Sequence, residues 1–463
     1  MATGTVAPHT GRGTRGTLAC AGLLLRSAAM SRAEPLPPPL TIWIVNPFDD
    51  IPGEGLPPLR YWSLARILAA RGHDVTWWSA TWSHRRKARR DVPLGIRDDE
   101  QFAVRLVAVR PYEKNVSLAR IGSHRDFGRT FERLASEGVA SGQLDRPDVI
   151  LASLPPLEGP EAAARLAKRL DALFVCDVMD AWPETFERLL PGPTWLRGIL
   201  APLLLGGMEK RRNAVLAAAD ALSAASETYL DLARRKRAEG GNASDAPAHA
   251  CYHGAYLQEF PEPPRLSPTD ADASREAGAS RPVSCVYAGT LEAGQDLETL
   301  VAACRLLASA GTEAEIHVAG TGTLEQRLRT AAAGLKGACR LTVHGLLGRR
   351  DYVSLLSTAD VGLVLVKPES LVAVPYKAGD YAAAGLALVN SIPGELERLI
   401  AEHSAGLTYT AGDAASLARA IAAFATNRQL LNDCRHGSRR LAEAAFDREK
   451  TYLQFAKWIE GCA

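Results

Sequence analysis

A lysine and an aspartate in one short segment are the first residues of this sequence whose types and spacing could do chemistry. Lys377 and Asp380 lie three residues apart in VPYKAGDYAAAG, between Pro375 and Gly385. Proline fits the first position of a helix and glycine fits its end, so the segment predicts a short helix with both ionisable groups on one face. The two residues are either an exposed ion pair, which contributes well under about 1 kcal/mol, or contacts to a polar ligand.

Two glycine-containing loops could bring backbone N–H groups close to an anion. AGTGT, which contains Gly320 and Gly322, stands between a predicted strand and a predicted helix, and PGEG, which contains Gly53 and Gly55, follows the first predicted strand. Glycine lets a backbone approach a nucleotide closely. The alternative for each loop is a tight turn without a ligand. A dinucleotide fingerprint is disfavoured, because AGTGT lacks the third glycine and the acidic residue about 20 positions later.

Carboxylates and histidines form a third set of candidates in the first half of the chain. Asp177 and Asp180 lie in DVMDAWPETF, directly after a predicted buried strand, where carboxylates can bind hydroxyl groups or position a reacting group. His124 in RIGSHRDF and His84 in TWSHRRK lie in polar, basic segments where either could contact a phosphate. We take Asp177, Asp180 and His124 as candidate catalytic residues. The alternative for the aspartates is a strand-end cap, with Trp182 in the core.

Predicted strands and helices alternate along the chain, and the pattern starts twice. TIWIVN, a loop, the helical RYWSLARILAARGH and DVTWWSA form one strand–helix–strand unit, and VSCVYAG begins a second series of the same kind. Such alternation predicts parallel sheets with helices on both faces. The predicted fold class is α/β, with two Rossmann-like, doubly wound parallel-sheet domains that face a cleft. Ligands of such sheets bind beyond the carboxyl ends of the strands.

Composition shifts divide the chain into five parts. Residues 1–40 are rich in Gly, Thr, Ala and Pro and predict a disordered leader, or an over-long start with translation from Met30. A signal peptide is the less favoured alternative. The remaining parts are a first domain over 41–260, a Pro/Ser/Asp-rich linker over 261–282, a second domain over 283–445, and a C-terminal helix over 446–463 that can cross back to the first domain.

The composition also excludes several function classes. Of the 463 residues, 23% are charged and 47% are hydrophobic, and the formal net charge of +2 gives no reason to expect nucleic acid as a partner. No uninterrupted apolar run reaches the roughly 20 residues of a spanning helix. The eight cysteines stand singly, which favours a reducing cytoplasm over a disulfide framework or a structural zinc site.

Five segments, in this order and spacing, carry a resemblance to a known family: the opening NPFDDIPGEG…RYWSLARILAARGHDVTWWS, CDVMDAWPETF, VYAGTLEAGQDLETLVAACRLL, IHVAGTGTLEQRL and VPYKAGDYAAAGLALV. From about Thr41 to the end, the chain resembles the retaining glycosyltransferases of family 4, which have the GT-B fold. It is most similar to bacterial members that build lipopolysaccharide, capsule or exopolysaccharide. The resemblance implies transfer of a sugar from a nucleoside-diphosphate sugar to a saccharide acceptor, without a metal or another cofactor.

The resemblance also implies roles for particular residues. The first domain would bind the acceptor, with Asp177, Asp180 and His124 near the reacting groups, and the second domain would bind the nucleotide sugar. Lys377 would contact the donor diphosphate and Asp380 the nucleotide ribose. The nucleotide-sugar contacts implied in this way are Gly53, Gly55, Gly289, Thr290, Gly320, Gly322, Lys377 and Asp380.

The chain departs from the family pattern at several of these positions. Where the family usually carries an arginine and a lysine after AGTL, this chain has Thr290 and Gln295. Lys377, and after it Lys367 or Arg60, would then have to neutralise the diphosphate. The second acid of the family's E-x7-E motif is the shorter Asp380, and the first acidic position is Val372.

Two basic, tryptophan-containing segments point to a membrane surface. They are WWSATWSHRRKARR, Trp77–Arg90, and WLRGILAPLLLGGMEKRR, Trp195–Arg212. Tryptophan and Lys/Arg beside apolar side chains suit the headgroup region of an anionic bilayer. The alternative is solvated charge beside core tryptophan. The expected partners are thus a nucleotide sugar, a lipid-linked or free saccharide acceptor and an anionic membrane, and the expected location is the inner face of the plasma membrane.

Two other functions are compatible with this sequence. One is a nucleotide-sugar 2-epimerase of related fold, which needs no membrane-facing surface. The other is a non-catalytic relative that binds saccharide, which the missing arginine and lysine after AGTL would suit.

Overall fold

The structure is a computed structural model. It describes residues 37–463 except 56, 92–95, 98–100, 189, 191, 193 and 263–280. Most of the predicted leader, including Met30, and most of the predicted linker lie outside the described residues.

The first sheet is formed by apolar segments that are covered on both faces. Alternate residues of its central strand pack into opposite layers, with Ile42 and Ile44 on one side and Trp43 and Val45 on the other. This burial explains the near-continuous apolar runs of the sequence. The strands are β1 (Thr41–Val45), β2 (Asp74–Ala80), the β3–β4 hairpin (Trp82–Ser83 and Ala88–Arg89), β5 (Ile96–Arg97), β6 (Ala103–Val107), β7 (Val149–Leu154), β8 (Leu173–Val178), β9 (Ala221–Ala224) and β10 (Ala248–Ala250).

The strand order of the first sheet is β10-β9-β8-β7-β1-β2-β6-β5, with the β3–β4 hairpin outside it. All pairs are parallel except β5 with β6. The serines that precede two of the helices accept a bond from a backbone N–H of the first turn, Ser117 from Arg120 and Ser226 from Tyr229. The helices are α1 (Arg60–Ala70), α2 (Leu118–Ala140), α3 (Glu158–Leu170), α4 (Glu184–Glu187), α5 (Thr194–Ala218) and α6 (Glu227–Glu239).

The second sheet is entirely parallel, with the order β13-β12-β11-β14-β15-β16. Its strands are β11 (Val283–Ala288), β12 (Ala314–Ala319), β13 (Cys339–Gly345), β14 (Val361–Val364), β15 (Ala387–Asn390) and β16 (Gly406–Thr408). The helices are α7 (Leu297–Ser309), α8 (Glu325–Gly334), α9 (Arg349–Thr358), α10 (Tyr376–Ala383), α11 (Glu395–His403), α12 (Ala414–Thr426), α13 (Arg428–Leu441) and, after a π-helical turn (Ala442–Phe446), α14 (Arg448–Cys462).

The predicted fold class, two doubly wound parallel-sheet domains, is confirmed. In each sheet the chain starts in the middle and winds outwards in both directions, so the order reverses between β1 and β7 and between β11 and β14. Crevices open beyond the strand carboxyl ends at such reversals, and this is where ligands of doubly wound sheets bind.

The C-terminal helix packs on the first sheet. Tyr452, Phe455 and Ile459 of α14 are fully buried in the apolar layer that contains Ile42 and Tyr61. The chain therefore passes between the two sheets twice, once in the segment after β10 and once just before α14. These two crossing segments lie side by side.

The two crossing segments are joined by backbone hydrogen bonds and by one arginine. The Ala255 N–H donates to Phe446 O at 2.8 Å, and the Arg448 N–H donates to Ala255 O at 2.9 Å. The Arg448 guanidinium donates to the carbonyl oxygens of His253 and Gly254. These bonds hold the two crossing segments together and thereby restrict the orientation of the second sheet relative to the first.

Candidate functional site

Helix α10 begins directly after Pro375 and ends before Gly385, which has φ +64°, so the helix predicted around Lys377 and Asp380 is present. Its buried face carries small residues. A Cβ placed on Gly379 would lie 3.2 Å from the carbonyl carbon of Gly254. Glycine here lets α10 pack closely on the segment that crosses between the domains.

Lys377 contacts the loop that follows β11. Its Nζ lies 3.1 Å from Gln295 Oε1, 4.1 Å from the centroid of the Tyr287 ring, and beside Gly289. Burial lowers the pKa of Lys377 to about 7. The ammonium group therefore has an amide oxygen and a ring as partners, and no carboxylate lies within 4 Å of it among the described residues. A cation in this state favours an anionic ligand.

Asp380 has partners of its own on the other side of α10. The Tyr352 hydroxyl donates to Asp380 Oδ2 at 2.8 Å, and Arg349 Nη1 lies 3.4 Å from the same oxygen. Arg349 also pairs with Glu259. Burial raises the pKa of Asp380. Among the described contacts, Lys377 and Asp380 are thus not paired with each other. Tyr352 and Arg349 both contact Oδ2 of the Asp380 carboxylate.

The loops after β11, β12 and β13 are stacked closely because two of the predicted glycines have no side chain. Gly320 has φ +140°, and a Cβ placed on it would overlap the carbonyl oxygen of Gly289. Both backbone N–H groups are already used, since Gly289 donates to Ala319 O at 3.0 Å and Gly320 donates to Gly345 O at 2.7 Å. Their role in this structure is close backbone packing rather than donation to a ligand.

Thr290 and Gly322 lie in the same group of loops. The Tyr287 hydroxyl donates to Thr290 O at 2.8 Å, and a Cβ on Gly322 would overlap the backbone of Leu291. The structure therefore brings together four predicted residues of the second domain in adjacent loops, and one of them, Gly289, lies beside the amine of Lys377.

The PGEG loop presents its two glycines to solvent. Gly53 and Gly55 are exposed and have φ +83° and +72°. Glu54 between them turns inward and forms ion pairs with Arg86 and Arg90 of the β3–β4 hairpin. The inward glutamate anchors the loop, so the peptide groups of the two glycines stay at its surface.

Asp177 lies inside the first domain, near the end of β8. Arg60 donates to its two carboxylate oxygens at 2.8 and 2.9 Å, the Tyr61 hydroxyl at 2.6 Å and the Ser223 hydroxyl at 2.8 Å. Both side chains of the ion pair are 0% exposed. The pKa of Asp177 stays below its ordinary value because Arg60 and these hydrogen bonds outweigh the effect of burial.

This position leaves Asp177 no surface for a substrate, so we correct its assignment from a catalytic to a structural residue. Arg60, which the sequence suggested after Lys377 for neutralising the diphosphate, is bound to Asp177 instead. It also donates to Cys251 O at 2.6 Å. Together the two residues hold the start of α1 against β8 and the segment after β10.

Asp180 and His124 lie nearer the surface, beyond the carboxyl ends of the first sheet. Asp180 Oδ1 accepts a bond from the Ala181 N–H at 2.8 Å, and burial raises the pKa of Asp180. Arg120 Nε donates to His124 Nε2 at 3.3 Å. Burial and the charge of Arg120 lower the pKa of His124 to about 3, so this histidine is neutral near pH 7.

His124 belongs to a group of rings and cations that the sequence did not reveal as a unit. His84 Nδ1 lies 2.6 Å from the Tyr112 hydroxyl and 3.3 Å from Lys87 Nζ. Arg120 lies over the rings of Phe48 and Trp182, at 5.4 and 5.3 Å. We call this group the cationic–aromatic cluster. Its members are Phe48, His84, Lys87, Tyr112, Arg120, His124 and Trp182.

Two contacts between the domains were also invisible in the sequence. The Glu395 carboxylate accepts bonds from the N–H groups of Glu227 and Thr228, at 2.9 and 2.8 Å, and from the Tyr252 hydroxyl at 2.6 Å. Anions are stabilised at a helix N-terminus, here that of α6. The partners are well over a hundred residues apart, so no local pattern signals the contact.

Tyr229 makes the second contact between the domains. Its hydroxyl donates to Leu371 O at 3.1 Å and accepts from the Ala373 N–H at 3.4 Å. These bonds hold the loop that precedes α10.

Lys367, another second choice for the diphosphate, faces a cavity of about 410 Å³ beyond β14, β15 and β16. Val372, Asn390 and Thr408 also line this cavity. In the part of the chain that the structure describes, no three His, Cys, Asp or Glu side chains are grouped so as to hold a metal ion.

The two segments predicted to touch a membrane are only partly exposed. Trp77 and Trp78 are core residues of β2, and Arg211 and Arg212 form ion pairs with glutamates of the first domain. For Trp77, Trp78 and Arg212, which are buried, the membrane assignment is wrong, whereas Arg211 is partly exposed and its assignment stays a prediction. The large apolar side chains that are exposed in the described part of the first domain are Val116, Leu118, Ile121, Ile199, Leu203 and Leu204. None of the described helices is long and apolar enough to cross a bilayer.

Two protein-family models match the chain, one in each domain. The model described as "Glycosyl transferase 4-like domain" matches residues 59–243, and the model "Glycosyl transferases group 1" matches residues 282–427. No curated protein sequence matches significantly.

Solved structures share the fold at low sequence identity. Sucrose-phosphate synthase from Thermosynechococcus elongatus has a TM-score of 0.65 at 16% identity, over 91% of this chain and 98% of that one. The trehalose 6-phosphate synthase from Burkholderia multivorans has a TM-score of 0.61 at 15% identity, with the same two coverages. Anabaena HepE in complex with UDP and glucose has a TM-score of 0.56 at 14% identity, over 91% of this chain and all of that one.

Proposed function

Because this chain belongs to the glycosyl transferases of group 1, as its resemblance predicted, we propose that it transfers a sugar from a nucleoside-diphosphate sugar to a saccharide acceptor. The observation that carries the proposal is Lys377. Its amine has no carboxylate partner among the described residues and lies beside Gly289, in the loop at the carboxyl end of β11.

The donor diphosphate binds between Lys377 and the start of α10. A buried amine with a pKa of about 7 regains its proton when an anion approaches, and the N-terminus of α10 adds a favourable dipole. Asp380 accepts hydrogen bonds from the ribose through Oδ1, while Tyr352 and Arg349 hold Oδ2. UDP is the first nucleotide to test, because the similar Anabaena HepE structure is a complex with UDP and glucose.

The transfer retains the configuration of the sugar and uses no metal. The bond between the anomeric carbon and the diphosphate oxygen breaks, and the acceptor hydroxyl forms its new bond on the same face. The leaving diphosphate takes the hydroxyl proton. Lys377 stabilises the charge that develops on the leaving group, and stabilisation of this kind is the largest single contribution in many enzymes.

The acceptor is lipid-linked and the enzyme acts on the inner face of the plasma membrane, in the synthesis of a cell-surface polysaccharide. Supporting this, Leu118 at the start of α2 is 85% exposed and Leu203 on α5 is 80% exposed. The basic Arg85, Arg86 and Lys114 of the same domain are also exposed. Exposed apolar side chains beside basic ones suit an anionic bilayer surface.

A thermal-shift screen with UDP-, GDP-, ADP- and dTDP-sugars tests the donor assignment. We expect one nucleotide class to raise the melting temperature, and the Lys377→Met and Asp380→Asn variants to lose this shift without losing apo stability. Lys336→Met, which changes an exposed lysine of the same domain, is the control and keeps the shift. A full shift in Lys377→Met would contradict the proposal.

Two outcomes would favour the alternative functions. Conversion of UDP-N-acetylglucosamine to its epimer without an acceptor would favour the epimerase. A panel of nucleotide sugars that neither bind nor are consumed would favour the non-catalytic relative.

Co-sedimentation with vesicles tests the membrane assignment. We expect binding to vesicles that contain phosphatidylglycerol and little binding to pure phosphatidylcholine, and the Leu203→Glu variant should bind less. Leu306→Glu, on an exposed leucine of the second domain, is the control. Equal binding of wild type and Leu203→Glu would contradict this part of the proposal.

A further inference from the structure

We propose that the acceptor carries a phosphate group and that Lys87 and Arg120 of the cationic–aromatic cluster bind it. This inference rests on the proposed transferase function, because it names the chemical class of the acceptor.

The cluster lies where an acceptor of this fold would bind. Its residues follow the carboxyl ends of four strands of the first sheet: Phe48 follows β1, Lys87 lies in the hairpin after β2, Tyr112 follows β6, and Trp182 follows β8. Arg120 comes from the first turn of α2. Ligands of doubly wound sheets bind beyond these ends.

Lys87 and Arg120 are held close together by one residue. Lys87 Nζ donates to the Asn115 side-chain oxygen at 2.7 Å, and Arg120 Nη1 donates to the Asn115 backbone oxygen at 2.6 Å. Two cations on different elements are therefore fixed around a shared anchor. Each is partly buried, so the anchor positions them before any ligand arrives.

Neither cation has a carboxylate within 4 Å among the residues that the structure describes. Their other close partners are neutral, namely His84 for Lys87 and His124 for Arg120. The remaining neighbours are rings: Lys87 Nζ lies 4.9 Å from the centre of the Tyr112 ring. Asp180 is near enough to stabilise the charge of Arg120, but it forms no ion pair with it at that distance.

Several other arginines of the first domain are paired with acids; the pairs include Arg85–Asp50, Arg110–Asp126, Arg133–Glu137 and Arg165–Glu132. Lys87 and Arg120 differ from these arginines because each is partly buried and has no ion pair among the described residues.

The electrostatic state of the cluster favours an anion. Burial and the charge of Arg120 lower the pKa of Lys87 to about 8, and burial together with these cations lowers the pKa of His84 to about 3. The histidines are therefore neutral and accept hydrogen bonds, while the two cations, both partly buried, repel each other. An anion between them removes this repulsion and gains charge-assisted hydrogen bonds.

A phosphate attached to a sugar fits both parts of the cluster. Its oxygens can accept from an ammonium and a guanidinium at once, and the partly exposed rings of Phe48 and Trp182 provide flat apolar surfaces for a sugar. The same chemistry is present in a soluble sugar phosphate and in the diphosphate of an isoprenoid-linked saccharide.

Isothermal titration of the full-length protein with glucose 6-phosphate, farnesyl diphosphate and glucose tests the inference. UDP at saturating concentration fills the donor site, so that the phosphates are measured at a second place. We expect at least one phosphate to bind and glucose to bind far more weakly. A preference between the two phosphates distinguishes a soluble from an isoprenoid-linked acceptor.

Matched variants locate the binding. We expect Lys87→Met and Arg120→Met each to weaken phosphate binding by about tenfold or more, which corresponds to the loss of a hydrogen bond to a charged group. Arg120→Lys should keep part of the affinity, and Arg89→Met, on an exposed arginine of the same hairpin, should keep all of it. Melting temperatures of the apo variants show whether they are folded, and Lys87→Met and Arg120→Lys provide the test if Arg120→Met is not.

Two results would overturn the inference: phosphate binding that is unchanged in Lys87→Met and in both Arg120 variants, or binding of glucose that equals that of the phosphates. Failure of every nucleotide in the thermal-shift screen to bind would count against the proposed function alone, because the phosphate titrations can be repeated without a nucleotide and compared among the same variants.

Discussion

Replacing Asp177 with asparagine separates a structural from a catalytic role for the most conspicuous acid of the first domain. The carboxylate is fully buried and accepts bonds from Arg60, Tyr61 and Ser223. Asparagine has nearly the same shape but no charge, so Asp177→Asn leaves the Arg60 guanidinium buried without a counter-charge. One of its amide positions also presents N–H donors to a group that only donates.

The expected loss of stability follows from this geometry. Removing one partner of a buried ion pair costs about 3–5 kcal/mol, because the remaining charge is uncompensated. For a domain of this size, each kcal/mol lowers the melting temperature by about 2–4 °C. Asp177→Asn should therefore lower the transition of the first domain by about 10 °C. Nucleotide binding depends on the second domain, so Asp177→Asn should still bind the nucleotide at temperatures below the transition of the first domain.

A charge-free double variant provides the control. Asp177→Leu combined with Arg60→Met removes both charges, so it should be more stable than Asp177→Asn although it changes more atoms. Differential scanning calorimetry of the wild type and the two variants measures this ordering. Loss of transfer activity in an Asp177→Asn protein that melts within about 2 °C of wild type would refute the structural assignment.

The acid dependence of stability provides a second readout of the same pair. The pKa of Asp177 is lower in the folded than in the unfolded chain. The stabilisation is therefore present above the ordinary aspartate range near pH 4 and is lost as the pH falls through the lower, folded value. Asp177→Asn should lack this part of the acid-induced loss.

Three further predictions concern the second domain. Burial lowers the pKa of Lys377 to about 7, and a diphosphate favours the charged form of its amine. UDP affinity measured by titration should therefore fall above pH 7, by up to about tenfold per pH unit, whereas Lys377→Met should show no such fall. In the apo protein, the free energy of unfolding should rise between about pH 7 and the ordinary pKa of lysine, because the unfolded chain binds more protons there. Gly320→Ala should lower the melting temperature by several degrees and abolish UDP binding, because its Cβ would overlap a carbonyl oxygen. Gly294→Ala, with open space around it, is the control and should do neither. A stable Gly320→Ala protein that binds UDP would contradict the packing argument. Glu395→Ala should speed amide hydrogen exchange in residues 227–228 and 371–373 by about tenfold, since three bonds to a carboxylate are lost; unchanged exchange at both places would show that this contact does not hold the domains together.

Local patterns predicted the elements around the candidate site well. Pro375 and Gly385 bracket α10 because proline lacks an N–H that the first turn does not need and glycine accepts a positive φ, and both are properties of single residues. The loops at Gly289 and Gly320 were likewise visible, since each stands between an apolar strand and a helical segment. The alternation of these elements was enough to predict two doubly wound sheets.

The tryptophans of β2 show where a local reading fails. Trp77 and Trp78 stand next to a basic run and suggested a membrane surface, but both are buried. Adjacent residues of a strand point to opposite faces, and both faces of a central parallel strand are covered by helices. Whether a strand is central depends on the strand order, which no segment carries by itself.

The sequence alone determined the family, the two-sheet fold and the position of Lys377 on a short helix, because these depend on residue types and on periods of a few residues. Only the tertiary structure decided what each charged group meets. Asp177 found Arg60 across 117 positions, and Lys377 found Gln295 across 82. Lys87 and Arg120 met at Asn115, and neither has an ion pair among the described residues. A carboxylate enclosed by donors is structural and a cation without a carboxylate favours an anionic ligand, and this distinction depends on partners that the winding of the sheets brings together.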